Sequence, residues 1–171
     1  MNHTETGGHL EGNKAHNVLT RLVVTVELQT GLDAAMDALV RVDGARAAAL
    51  IERSGLLLSG AGQGPVTEPA LAALVAGVFK SLTALSELMG EGEVSTFQQV
   101  GPSSYTVFNL LDSGDALVAS FPPQKPQRDV GGALNLAIAK ISPLLKKARS
   151  GGPSPGLKLD ADSIDSVLGN L

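Results

Sequence analysis

Histidine and cysteine begin most side-chain chemistry near neutral pH, and this chain is poor in both. Its three histidines, His3, His9 and His16, stand at or beside an opening stretch rich in Gly, Asn, Thr and Glu and without apolar periodicity. Such a stretch is expected to be mobile and solvated. The spacing matches no metal site and no carboxylate cluster supports one, so neither a metal nor another cofactor is expected. Beyond position 16 there is no imidazole, which excludes a histidine-dependent triad or general base from the folded body. Cysteine is absent altogether, removing thiol nucleophiles, thiolate zinc sites and disulfides.

Three other groupings suggest chemistry without completing it. Gly60-Ala61-Gly62-Gln63-Gly64-Pro65 falls between a predicted strand and a predicted helix, where phosphate loops occur. It lacks the Gly-Lys-Ser/Thr ending of a nucleotide loop. The dinucleotide fingerprint wants a glycine where Pro65 stands and an acid at a strand end, whereas Glu87 falls in a helix. A flexible connector is the better account. Asp112 and Asp115 flank a turn and are expected to serve it. Lys140, Lys146, Lys147 and Arg149 cluster at the end of the last predicted helix. A lipid surface could take them, but complementing the helix dipole is the simpler role. The carboxylates Asp33 and Asp37 fall on the outward face of the Leu32–Val42 helix and no carboxylate pair is placed about a site, so an enzyme is not expected.

Bulk properties narrow the partners. A net charge of −4 argues against phosphate neutralisation on nucleic acid. Five aromatics, Phe79, Phe97, Tyr105, Phe108 and Phe121, leave little for base stacking. No apolar run is expected to span a membrane and the start is polar rather than signal-like, so a soluble cytoplasmic protein is expected.

The elements that would position any site follow from periodicity. Val18 to Leu28 is ambiguous, β-branched like a strand yet striped like a helix. Leu32 to Val42 is clearly helical, and one helix from about Asn17, bent near Gly31 and ending at Asp43-Gly44, accounts for both. Arg46 to Glu52 and Leu56 to Ser59 read as a hairpin turning at Gly55. Glu93 to Val100, Tyr105 to Leu111 and Ala116 to Phe121 read as an antiparallel meander whose first, most polar strand lies at the sheet edge. A last helix runs from Arg128 to about Arg149, with Val130, Leu134, Ala137, Ile138, Ile141 and Leu145 inward and Pro143 as a kink or restart. Residues 1–16 are then a tail, 17–149 one domain, and 150–171 a Gly/Pro linker followed by a short acidic segment. In that segment Ile164, Val167, Leu168 and Leu171 repeat at helical spacing. It suits a partner's groove, self-docking or no structure at all.

The helix from Pro69 to about Met89 is central. Leu71, Leu74, Val75, Val78, Leu82, Leu85 and Leu88/Met89 form its expected core stripe. Opposite lie Ala72, Ala73, Ala76, Gly77, Ser81, Thr83 and Ala84, and only Lys80 and Glu87 are charged along its length. A mid-helix glycine costs about 1 kcal/mol relative to alanine, so something is expected to pack on the small face. The two candidates are a partner chain and the protein's own loops.

The order helix, strand, strand, helix, three strands, helix is that of the roadblock (dynein light chain) fold. Leu57-Leu-Ser-Gly-Ala-Gly-Gln63, Leu71-Ala-Ala-Leu-Val-Ala-Gly77 and Leu88-Met-Gly-Glu91 with Phe97 resemble bacterial roadblock proteins of the MglB type. The resemblance covers roughly Leu32 to Leu145 and extends to the tethered segment Leu157 to Leu171. It implies an α/β fold of the α+β type, roadblock/longin-like: a five-stranded antiparallel sheet between one long central helix and the N- and C-terminal helices. It also implies a homodimer seamed at Val94, Thr96 and Phe97. The paired central helices would bind a small Ras-like GTPase of the MglA type through Ala73, Ala76, Gly77, Lys80, Ala84 and Glu87. GTP hydrolysis would be stimulated without an inserted arginine, in cell polarity or motility. A scaffold without GTPase-activating activity is the alternative that the family allows.

Overall fold

The computed structural model describes residues 22–92 and 94–150. The three histidines lie outside this range, as do Ile164, Val167, Leu168 and Leu171. The elements are α1 (Val26–Arg41), β1 (Ala47–Ile51), β2 (Leu57–Gly62), a 3-10 turn (Pro65–Thr67), α2 (Pro69–Met89), β3 (Thr96–Val100), β4 (Tyr105–Leu110), β5 (Ala116–Phe121) and α3 (Gln127–Ser150). The expected order of elements is the observed one.

The strands form a single antiparallel sheet in the order β2-β1-β5-β4-β3. β1 (Ala-Ala-Ala-Leu-Ile) and β5 are buried along their whole lengths, which fits the interior of a sheet covered on both faces. β3 sits at one edge and is almost wholly exposed. One face packs on α1 and α3 through Met36, Leu39, Leu50, Phe121, Ile141 and Leu145. The other, smaller core contains Ile51, Val75, Phe79, Phe108 and Val118 beneath α2.

Several boundaries differ from expectation. α1 begins at Val26, not near Asn17, because Thr25 caps it: the Thr25 hydroxyl accepts from the Leu28 N–H at 3.1 Å and satisfies an otherwise orphaned donor. The helix runs continuously through Gly31. A Cβ there would lie 2.8 Å from Leu144 Cδ1, so this glycine permits close approach of α3 to α1. α3 runs unbroken through Pro143. β3 starts at Thr96, three residues later than expected.

The Gly-rich run is also not a free connector. Gly60, Ala61 and Gly62 pair with Ala49, Ala48 and Ala47 as the end of β2. Gly62 has φ +82°, and a Cβ there would collide with the Arg46 carbonyl oxygen. Gly60 and Gly62 thus belong to the strand and its close packing.

Candidate functional site

α2 begins with Pro69 in its first turn and ends at Gly90, whose left-handed φ of +69° lets its N–H bond back to Glu87 O and Ser86 O, a glycine cap of the usual kind. The face it buries is only partly the expected one: Val75 of the expected stripe is buried, but most of the stripe is not. Ala72, Val75, Phe79 and Ser86 face the sheet, with Leu71 and Leu82 half-buried at the margin. Leu74, Val78 and Leu85, expected in the core, are 67%, 40% and 51% exposed, and Leu88 and Met89 project further still. The physical reason is an aromatic anchor. The Phe79 ring meets Phe97 edge-on at 5.3 Å, and Phe97 stacks on Phe108 at 4.1 Å with an interplanar angle of 6°. Such pairs add about 0.5–1.5 kcal/mol beyond their buried area. This fixes the rotation of α2 and turns the leucine stripe outward.

α2 thus presents two outward strips. One is the apolar row Leu74, Val78, Leu85 and Met89. The other carries Ala73, Gly77, Lys80, Ala84 and Glu87, all exposed, with Ala76 half-buried at its edge. No atom of the described chain outside the helix's own backbone comes within 4 Å of where a Gly77 side chain would begin. Ala76, Lys80, Ala84 and Glu87 border a groove of about 380 Å³. Its floor is Phe79, Ile51, Leu110 and Ala116, and Glu52 and Arg53 stand at its rim. Four of the six expected contact residues therefore share one concavity, while Ala73 and Gly77 lie outside its lining. By length and composition α2 could cross a bilayer, contrary to the expectation that no run would reach that length. Its apolar side chains are divided between the sheet and the outward row.

At the seam positions, Thr96 is exposed and its hydroxyl bonds the Asn109 side chain at 2.7 Å. Val94 is half-buried just before β3. Phe97 turns inward, tying the edge strand to α2. The outer edge of β3 has no strand neighbour among the described residues.

An ion cluster that sequence reasoning missed adjoins the groove. Asp115 is fully buried, and Arg149 grips it with two bonds of 2.6 Å. Asp115 also accepts from the Ser113 hydroxyl at 2.6 Å and the Arg53 N–H at 3.3 Å. Arg149 lies 3.7 Å from Glu52. The bond to Asp115 raises the guanidinium pKa, against the opposing cost of burial and with help from the charges of Asp115 and Glu52. Asp115 is thus more than a turn residue, and Arg149 is not a solvated helix-end cation; Asp112 is exposed. These partners are 34 residues apart, and no local spacing announces them. Among the described residues no group of three or more His, Asp or Glu could hold a metal.

No family model and no curated protein matches the chain. Solved structures do. Myxococcus xanthus MglB is 25% identical with a TM-score of 0.67 over 74% of this chain and 96% of its own. The gliding protein MglB from Thermus thermophilus is 25% identical with a TM-score of 0.66, over 74% and 97%. A roadblock/LC7 domain from Streptomyces avermitilis is 23% identical with a TM-score of 0.60, over 67% and 97%, and shares the fold. With this sheet order, this helix placement and these neighbours, the chain has the roadblock fold and is similar to MglB proteins.

Proposed function

We propose that the protein is a cytoplasmic homodimer that binds a small Ras-like GTPase of the MglA type on its α2 surface and stimulates GTP hydrolysis, in the service of cell polarity or motility. The observation that carries this reading is that α2, alongside an open β3 edge, leaves both an apolar row and a small-residue strip uncovered. A second copy covers the row, and the GTPase takes the strip and groove.

Magnitudes support using both the row and the strand edge for the dimer. Fully burying each of Leu74, Val78, Leu85, Leu88 and Met89 would contribute about 1.5–3 kcal/mol. Association costs roughly 4–15 kcal/mol. Both copies of a dimer contribute such a row, so even after allowing for the part already buried this burial roughly meets or exceeds that cost, and backbone pairing along β3 adds to it. The small strip lets another polypeptide approach the α2 backbone closely. α2 contributes no arginine, and Arg53 at the groove rim lies 3.4 Å from Glu52. In keeping with the MglB-type resemblance, stimulation is proposed to act by reshaping the GTPase's own site rather than by an inserted guanidinium.

The test is single-turnover GTP hydrolysis by an MglA-type GTPase with and without saturating protein. Acceleration is expected; an unchanged rate despite binding would leave a scaffold.

A further inference from the structure

We propose that segment 157–171 of the same chain occupies the α2 groove when no partner is bound. This regulatory role rests on the reading of that groove as part of the GTPase surface. The first support is position. α3 ends at Ser150, one residue after Arg149, whose guanidinium is 3.7 Å from Glu52. Glu52 stands at the groove rim, so the last described residue adjoins an arginine whose side chain reaches that rim.

Reach is ample. The six residues 151–156 that precede the segment span at most about 20 Å when extended, and about 13 Å as a flexible Gly/Pro/Ser-rich tether. Chemistry matches as well. Ile164, Val167, Leu168 and Leu171 repeat at the spacing of a single helical stripe, and the groove floor of Phe79, Ile51, Leu110 and Ala116 is apolar. The segment holds three aspartates and one lysine, a net −2. In the groove Lys80 forms no ion pair among the described residues, whereas Glu52 is engaged by Arg149 and Arg53. Glu87, exposed at the groove's end, disfavours the aspartates there and places them toward Lys80.

The experiment compares full-length wild type with the full-length double variant Ile164→Asp/Leu168→Asp. Amide NMR shifts of Ala76, Lys80, Ala84 and Leu110 are expected to differ between the two, without any GTPase present. If the segment covers the groove nine-tenths of the time, the variant binds the GTPase about tenfold more tightly. Unchanged groove amides would overturn the proposal. So would recovery of the wild-type shifts when unlabelled wild type is mixed into labelled variant, since that places the segment on a neighbouring chain. Shifted amides with unchanged affinity would uphold the docking and count against the groove as the GTPase surface.

Discussion

Asp115 shows how much one buried charge can depend on its partners. Its carboxylate takes two bonds from Arg149, one from Ser113 and one from the Arg53 backbone. Removing Arg149 leaves Asp115 buried without a counter-charge, and removing Asp115 leaves Arg149 with only Glu52 at 3.7 Å; breaking such a buried pair typically costs about 3–5 kcal/mol. Asp115→Ala is thus expected to lose stability on that scale in urea unfolding. The double variant Asp115→Ala/Arg149→Met should lose clearly less than the sum of its singles; simple additivity would show that the pair is not coupled. Gly62 is a second residue with no substitute. Gly62→Ala puts a Cβ at positive φ against the Arg46 carbonyl and should destabilise by more than about 1 kcal/mol, read as a lower urea midpoint. Neither role was legible in the sequence. The ion pair joins α3 to the β4–β5 turn across the fold, and Gly62 differs from its neighbouring glycines only through the strand register.

At the scale of elements, α2 was legible in extent but not in rotation. Pro69 and Gly90 mark its ends as expected. Its sequence, however, carries apolar side chains around much of its circumference, and periodicity alone cannot choose which row meets the sheet. Phe79 decides, because Phe97 and Phe108 form an aromatic seat beneath it. Under the proposed function the two outward strips have different partners, which separates their mutants. Leu85→Glu puts a charge in the apolar row and is expected to convert the dimer to monomer in sedimentation equilibrium at micromolar concentration; an unchanged mass would remove the row from the interface. α1 illustrates the opposite error. Its stripe was visible, but the start was set by the Thr25 cap, which competed with an equally apolar run upstream.

For the whole molecule, the order of helices and strands was enough to anticipate the fold, since alternation, turn residues and helix breaks all agree along 32–145. What the order could not supply was the surface, because exposure depends on how layers rotate against one another. The assembled fold turns an open strand edge and an uncovered, largely apolar helix toward solvent, and two different chains are expected to cover them. The most direct measurement is the affinity of GTP-loaded MglA-type GTPase for wild type and for Ala84→Arg, with the dimer mass determined on the same samples. Ala84→Arg is predicted to remain a dimer and to lose GTPase binding by at least about a hundredfold, the effect of roughly 3 kcal/mol. Undiminished binding by an Ala84→Arg dimer would contradict the proposed division of the α2 surface.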